Sequence, residues 1–307
     1  MHWVLRKLTG QEPVFGSKAG YKYGYKKDKV DTRDHLYVPA DATLKAQAKE
    51  VDLRKQDVAL YDQGQLGSCT ANAILGLFAF VCMKLFGKVF FGSRLQLYYN
   101  ERVMEGNPEE DAGAEIRDGM TSLNKEGVCP ETMWPYDISK FADKAPAKCY
   151  AEALKHTSTK YMRVQQDLAH LKACLAEGFP FAFGFTVYSS FESATVARTG
   201  VMPMPKKGEK VLGGHAVVAV GYIDGNGKAK FNRVSDHIAY HVARVVKYVR
   251  TGNHHVASPT NVFIVRNSWG VKWGDKGYFY MPYAYMTSSK CDDFWTIRVA
   301  TDGKDGK

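Results

Sequence analysis

The chain has 307 residues, which is long enough for one large domain or two small ones with an ample core. Hydrophobic residues at 45% and charged residues at 24% are ordinary globular values, and no apolar run reaches the length of a membrane span. The formal net charge of +10 indicates either a solvated basic surface or an attraction to acidic partners.

The first 50 residues form a basic, tyrosine-rich segment that we call the arm. Residues 1–30 contain seven lysines and arginines against two acidic residues, and tyrosine and glycine are frequent in residues 20–25. Basic and aromatic residues together are typical of segments that contact nucleic acid through phosphates and stacked bases. The same composition fits an activation or docking segment. We therefore expect residues 1–50 either to make weak anion or nucleic-acid contacts or to pack along the body of the protein.

Residues 51–175 have a mainly helical pattern and contain the candidate nucleophile. A glycine-rich loop places Cys69 in the first turn of an apolar helix, where the helix dipole stabilises a thiolate, the nucleophilic form of cysteine. Gln63, six residues earlier, carries an amide donor suited to the negative oxygen of a tetrahedral intermediate. The apolar periodicity predicts helices over residues 69–84, 93–104, 116–125 and 168–177.

Residues 176–300 have the short apolar runs of β-strands. One buried run opens at His215, and another ends just before Asn267. Helices first and strands second predict an α+β fold of two packed lobes. A longer excursion, residues 224–260, is inserted between the two runs, and residues 301–307 form a short tail.

The insertion raises the question of a metal site. It contains four histidines, which are His237, His241, His254 and His255. The first two are four residues apart and would share one face of a helix, but no nearby cysteine or glutamate completes a ligand set. We expect a packing or partner-binding excursion with no metal.

Three motifs, in this order, resemble those of the papain family of cysteine peptidases. They are Gln-x5-Cys at residues 63–69, Gly-His-Ala at 214–216, and Asn-Ser-Trp-Gly-x2-Trp-Gly-x2-Gly-Tyr at 267–278. The resemblance runs from about residue 51 to 299. It implies a helical left lobe, an antiparallel, β-barrel-like right lobe, and an active-site cleft between them. It also makes the arm propeptide-like, and we expect the arm to pack along the cleft or the domain surface and to stay attached.

The resemblance implies a role for each matching residue. Cys69 attacks the peptide carbonyl and forms a thioester, His215 is the general acid and base, and Asn267 orients the imidazole. Gln63 and the backbone N–H of Cys69 form the oxyanion hole. Trp269 shields the contact between His215 and Asn267 from water. The partner is a peptide or protein substrate, and no metal or organic cofactor is required.

Substrate specificity depends on the segment that forms the S2 pocket in this family. The resemblance gives as substrate-binding candidates Gly113, Ala114, Glu115, Ile116, Gly214 and Trp269. Gly113 would allow a close backbone approach. Glu115 would favour a basic substrate side chain if it faces the pocket, and is otherwise a solvated surface carboxylate.

Six cysteines are spread along the chain without a tight spacing motif. Excluding Cys69 leaves an odd number, which argues against a full disulfide framework. Leu66 stands where secreted members of the family place a bridging cysteine, and residues 1–7 lack the apolar core of a secretory signal. We therefore expect the protein to reside in the cytoplasm or another reducing compartment. Whether Cys129 and Cys149 form a disulfide is left open by the sequence.

The leading interpretation is a papain-like cysteine endopeptidase. An acyl transferase or peptide ligase would use the same thioester and differ only in its acceptor. A third interpretation is an inactive scaffold that binds partners through the arm and the insertion.

Overall fold

The computed structural model describes residues 21–225 and 259–301. Its α-helices are α1 (Asp41–Lys45), α2 (Cys69–Phe86), α3 (Arg94–Met104), α4 (Ile116–Lys125), α5 (Ala147–Ala153), α6 (Leu168–Ala176), α7 (Ala194–Thr199) and α8 (Tyr283–Met286). Its strands are β1 (Tyr25–Lys26), β2 (Glu50–Asp52), β3 (Ala114–Glu115), β4 (Ser158–Arg163), β5 (Phe181–Tyr188), β6 (Val211–Ile223), β7 (Val262–Arg266), β8 (Tyr278–Pro282) and β9 (Cys291–Ala300). The predicted α+β class is confirmed. Most of the insertion, with its four histidines, and the tail after residue 301 lie outside the described residues.

Helix α2 is the long apolar helix at the centre of the molecule. It is buried without a break from Cys69 to Cys82, as expected for a helix that is apolar on all sides. It ends at Gly87, whose φ of 64° forms a left-handed cap. Among the described helices α2 alone has the length and hydropathy of a membrane span, but 78% of that window is buried inside the protein. Its apolar surface is therefore covered by α3, α4, β6 and β9, which pack around it.

A seven-stranded sheet carries the second half of the site. Its strands run in the order β4, β9, β5, β6, β7, β8, with β2 paired to β6. All of these pairings are antiparallel. The register places Phe185 of β5 opposite His215 of β6, so the histidine lies on an internal strand. In the described part of the chain the sheet is open, which corrects the expectation of a barrel-like lobe.

The two predicted lobes share one core. Strand β4 lies in the segment 51–175 but pairs with β9 of the segment 176–300. A single cluster of buried apolar residues includes Leu75 of α2, Leu97 of α3 and Val217 of β6. Because the helix that begins at Cys69 packs directly on the strand that contains His215, this common core fixes the two residues relative to one another.

The described part of the arm follows the surface of the body in two ways. Strand β1 pairs in parallel with β3, with Tyr25 opposite Ala114. Further along, the N–H of Tyr37 donates to the carbonyl of Arg163 (2.8 Å), and the Tyr37 side chain is buried in the core. Residues 31–50 are thus built into the body. We call residues 21–30, which cross the candidate site, the cleft segment.

Candidate active site

Three elements bring Cys69, His215 and Asn267 to one place. Cys69 is the first residue of α2, His215 lies within β6, and Asn267 directly follows β7. The backbone N–H of Ala216, next to His215, is near enough to the Cys69 sulfur to lower the pKa of the thiol. The Nε2 atom of His215 lies 2.8 Å from Oδ1 of Asn267. The structure therefore groups the three residues that the sequence singled out.

The contact between histidine and asparagine defines which ring nitrogen is available for chemistry. Oδ1 of Asn267 also accepts the N–H of Ser268 at 2.9 Å, so this oxygen is held as an acceptor facing His215. Nε2 then carries the hydrogen, as assigned from this bond. Nδ1 of His215 is buried without a partner. The Trp269 indole stacks on the imidazole with centroids 5.2 Å apart and keeps water from the contact. Nδ1 is thus the ring nitrogen that Asn267 leaves unengaged.

Gln63 is fully buried and is held on both ends of its amide. Its Oε1 accepts the hydroxyl of Ser268 at 2.6 Å, and its Nε2 donates to the carbonyl of Leu66 at 3.0 Å. The same Nε2 donates to the carbonyl of Lys22 in the cleft segment at 3.2 Å. A carbonyl oxygen therefore already occupies a place where this amide could bind an oxyanion.

Burial determines the charge state of the cysteine and the histidine. The pKa of Cys69 is raised to about 11, chiefly by loss of solvent, although the N–H groups of Ala216, Gly24 and Thr70 oppose the shift. The pKa of His215 is lowered to about 4 by burial, which outweighs its bond to Asn267. Both groups are therefore neutral at pH 7. The thiolate expected from the helix dipole is not the favoured state here, because desolvation is the larger effect.

Two tyrosines of the cleft segment cover the pair. The ring of Tyr21 stacks on Trp269 with centroids 4.5 Å apart and planes 5° from parallel. The ring of Tyr23 meets His215 edge-on at 5.8 Å, and its hydroxyl donates to Glu192. These rings exclude solvent from the imidazole, which explains why its pKa is lowered.

The backbone of Gly24 lies beside the nucleophile. Its N–H lowers the pKa of the Cys69 thiol, and its carbonyl accepts the N–H of Ala114 at 2.7 Å. A Cβ at Gly24 would lie 1.6 Å from the carbonyl oxygen of Gly67, and a Cβ at Gly113 would lie 2.0 Å from that of Gly24. Only glycines allow this packing. Two predicted substrate-binding residues, Gly113 and Ala114, thus contact the chain's own arm.

The remaining predicted substrate-binding residues are placed differently from one another. Gly214 lies against the cleft segment, since a Cβ there would be 2.5 Å from the carbonyl oxygen of Tyr25. The Glu115 carboxylate accepts the backbone N–H of Lys29 at 3.1 Å. Ile116 is fully buried in the hydrophobic core at the start of α4. Trp269, as described above, covers the imidazole.

The lysines of the cleft segment pair with carboxylates of the body. The pairs are Lys22 with Asp111, Lys26 with Glu105, Lys27 with Asp292 and Lys29 with Glu115. The lysine side chains are between 39% and 89% exposed, so each pair contributes little to stability. The four lysines of the cleft segment are therefore each paired with an acidic side chain of the same protein.

A buried ionic cluster anchors the cleft segment at its far end. The carboxylate of Asp28 accepts from Arg163 (2.8 Å), from the indole of Trp295 (2.8 Å) and from the N–H of Arg117 (3.0 Å). Sequence reasoning missed this cluster, because nothing local marks these residues. It expected the arm along the cleft or the domain surface but did not identify which arm residues enter the site, although tyrosines at every second position from Tyr21 are typical of an extended strand.

All six cysteines lie in the described ranges, and all are free and buried. Cys129 and Cys149 share a small apolar cluster and are close enough for a thiol hydrogen bond. The bridge that the sequence left open is therefore absent from this structure.

Comparisons with known proteins agree with this geometry. Residues 47–293 match the family model described as papain family cysteine protease. A peptidase C1-like protein of Acanthamoeba polyphaga mimivirus is 39% identical over 91% of this chain and 88% of its own length. The crystal structure of xylellain, a cysteine protease from Xylella fastidiosa, is similar with a TM-score of 0.73 and 38% identity, over 90% of this chain and 96% of that chain. Procathepsin B from Trypanosoma congolense shares the fold at 15% identity, with a TM-score of 0.65 over 91% of this chain and 87% of that chain. The papain-like fold expected from the sequence is confirmed.

Proposed function

This chain belongs to the papain family of cysteine proteases, which are hydrolases, and from that premise we propose that it is an endopeptidase acting through a thioester on Cys69. The observation that carries the proposal is the 2.8 Å contact between His215 Nε2 and Asn267 Oδ1. It leaves Nδ1 of His215 unpartnered, and we assign to this nitrogen the exchange of protons with the cysteine. The same geometry supports Asn267 as the residue that orients the imidazole.

The proposed reaction has two halves. His215 takes the proton of Cys69, and the thiolate attacks the carbonyl carbon of the peptide. The resulting oxyanion accepts from Gln63 Nε2 and the Cys69 N–H. The C–N bond then breaks, the imidazolium gives its proton to the leaving amine, and a thioester remains. Water loses a proton to His215 and attacks the thioester, and the C–S bond breaks. The carboxylic acid leaves, and the imidazolium returns its proton to the cysteine sulfur.

We place the described form in this scheme as a resting state. The cleft segment fills the site from Tyr21 to Tyr25 and places the backbone of Gly24 beside the Cys69 sulfur. Its carbonyl at Lys22 uses the amide donor that the oxyanion would need. Displacement of residues 21–30 would admit both substrate and water. The free cysteines fit the further proposal that the protein works in a reducing compartment.

Two other interpretations use the same residues. A transferase or ligase would release the thioester to an amine instead of water, and the site geometry does not distinguish the two acceptors. An inactive scaffold is disfavoured by the buried, correctly paired His215 and Asn267, since a scaffold has no need for an unpartnered ring nitrogen beside a cysteine.

Peptide hydrolysis tests the proposed function. The full-length chain with Gly24→Val, whose added side chain would collide with Gly67, is incubated with peptides in the presence and absence of an added amine. Products should carry free carboxylates, and additional Cys69→Ala should abolish them. Cys82→Ala is the matched control, because Cys82 is a buried cysteine of the same helix, and it should retain activity. Products formed only with the amine would favour the transferase.

A further inference from the structure

The side chain of Tyr25 occupies a pocket that Gly184 of β5 and Gly214 of β6, the neighbour of His215, line. A Cβ at Gly184 would lie 1.9 Å from Cζ of this tyrosine, and a Cβ at Gly214 would lie 2.9 Å from its Cδ1. Neither glycine has a backbone conformation that other residues avoid. Glycine at these positions therefore serves to leave room for a ring, and any larger residue would fill the pocket.

Asp293 closes the far end of this pocket. The Tyr25 hydroxyl donates to Oδ2 of Asp293 at 2.5 Å, and the Asp293 side chain is only 4% exposed. Its φ of 58° lies in the left-handed region, which is uncommon outside glycine and clusters at ligand-binding sites. The Asp293 carboxylate is thus a buried acceptor, placed where the hydroxyl of a bound tyrosine ring can donate to it.

The charges behind Asp293 are balanced once the cleft segment is displaced. Arg163 donates to Asp293 at 3.1 Å and to Asp34 at 2.8 Å, and Arg117 pairs with Asp34 at 2.6 Å. Asp28 and Lys27 leave with the cleft segment, so Asp292 loses its partner. Arg163 and Arg117 then face Asp293 and Asp34, while the Asp292 side chain, which is 29% exposed, stays in contact with solvent. A neutral hydrogen-bond donor preserves the pairing of Asp293 with Arg163, whereas a lysine or arginine inside the pocket would place its cation near the Arg163 guanidinium.

We propose that this pocket selects a tyrosine side chain of the substrate and that Asp293 is the specificity-determining residue. The inference rests on the proposed function and names its substrate class. Phenylalanine would fill the same space but leave a buried carboxylate oxygen without its donor, and a site built for a hydroxyl rejects such an analogue. The pocket therefore differs from the basic preference expected from Glu115, whose carboxylate lies with Lys29.

An unbiased peptide library tests this selectivity. The full-length chain with Gly24→Val is incubated with an equimolar library of synthetic peptides, and the cuts are mapped by mass spectrometry. Tyrosine should be enriched at one fixed position relative to the cut, about tenfold over phenylalanine and over arginine. Asp293→Gly, which tolerates a left-handed backbone and removes the acceptor, should remove the enrichment. Asp292→Asn, the neighbouring carboxylate on the surface side, should keep it.

The outcomes distinguish failure of the tyrosine pocket from failure of the proposed peptidase function. Cleavage with equal use of phenylalanine, with a basic preference, or with tyrosine enrichment that survives Asp293→Gly would overturn the tyrosine pocket while leaving the peptidase intact. Cleavage of no peptide would refute the proposed function itself, and the inference with it.

A second measurement, the rate of Cys69 alkylation, does not require the Gly24→Val substitution. In the otherwise unchanged full-length chain, Tyr25→Phe removes only the hydroxyl that binds Asp293. It should weaken the docking of the cleft segment and raise the rate of Cys69 alkylation about tenfold. Lys27→Ala, which removes an exposed ion pair, should change this rate little. Equal rates for the unchanged chain and Tyr25→Phe would also overturn the role of Asp293.

Discussion

At the scale of single residues, the site holds a nucleophile and a base in their neutral forms. Burial raises the pKa of Cys69 and lowers that of His215, and part of that burial comes from Tyr23 and Gly24 of the arm. When water returns to the site, both charged forms regain hydration, and the pKa values of the two groups move back toward their ordinary values. The docked arm therefore disfavours the charged forms of both groups.

Gln63 should affect the chemical step more than substrate binding. Gln63→Glu keeps the size of the side chain but removes the amide donor that points at the Lys22 carbonyl. We expect kcat for peptides to fall about 10²- to 10³-fold, with a small change in KM. The exposed Gln56 supplies the control, and Gln56→Ala should leave both constants unchanged. A fall in binding alone would contradict the oxyanion role.

Docking of the cleft segment should depend on pH through the buried pair. The docked His215 has a pKa of about 4 against an ordinary value of 6.5, so its contribution is present above pH 6.5 and is lost as the pH falls toward 4. The docked Cys69 has a pKa of about 11 against 9.0, so its contribution is present below pH 9 and is lost as the pH rises through 11.

Hydrogen exchange measures this dependence. The amide protection of Ala114, whose N–H binds the carbonyl of Gly24, should be greatest between pH 6.5 and 9. Below that range, after correction for intrinsic exchange, it should fall by at most about tenfold per pH unit. The amide of Leu97 in α3, far from the arm, serves as the reference. Constant protection of Ala114 from pH 4 to 9 would contradict the linkage.

At the scale of elements, the closed cleft depends on backbone contacts more than on charge. Strand β1 pairs with β3, and Gly24 fits between Gly67 and Gly113 with no room for a side chain. The exposed lysine pairs around it are weak. Shape and backbone hydrogen bonds therefore hold the cleft segment, and a single added Cβ should release it.

Gly24→Val tests the role of this contact. Its side chain cannot coexist with the Gly67 carbonyl at 1.6 Å, so the cleft segment must leave its seat. We expect the hydrolysis of small peptides to rise at least tenfold over the unchanged full-length chain. The exposed neighbour gives the control, since Lys27→Val should leave the rate near that of the parent. Equal activity of the parent and Gly24→Val would mean that the cleft is already open.

Local patterns of the sequence were sufficient for the framework of the site. Apolar periodicity located α2, α3, α4 and α6 to within two residues, because these helices bury whole turns against one core. The motifs around Cys69, His215 and Asn267 located the site. The sequence did not indicate that Asp28 and Asp293 would meet at Arg163, since such contacts join segments more than 100 residues apart. The neutral charge state also escaped prediction, because it depends on what covers the cysteine.

At the scale of the whole molecule, the arm divides into two parts with different roles. Residues 21–30 lie in the cleft, whereas residues 31–50 complete the body. The Tyr37 side chain packs in the core, and its backbone N–H donates to the carbonyl of Arg163. Strand β2, which begins at Glu50, pairs with β6. The boundary at residue 50 expected from the sequence therefore cuts through a segment that is integral to the fold.

Two truncations should separate these roles. Deletion of residues 1–30 removes the cleft segment and should give a folded, active protein with a modest loss of thermal stability. Deletion of residues 1–50 also removes Tyr37, and the loss of one large buried aromatic side chain costs about 3 kcal/mol or more. Thermal unfolding followed by circular dichroism compares the two forms. Similar melting temperatures would show that residues 31–50 are dispensable.

Covalent labelling of Cys69 tests the central claim most directly. The full-length chain, its Gly24→Val form and its Cys69→Ala form are treated with an epoxysuccinyl cysteine-protease probe at pH 7, and the adduct is located by mass spectrometry. The account predicts slow labelling of the full-length chain, fast labelling of Gly24→Val at Cys69, and none of Cys69→Ala. Equally fast labelling of the first two would contradict the covered resting state. Absence of labelling in a folded Gly24→Val chain would contradict Cys69 as the nucleophile.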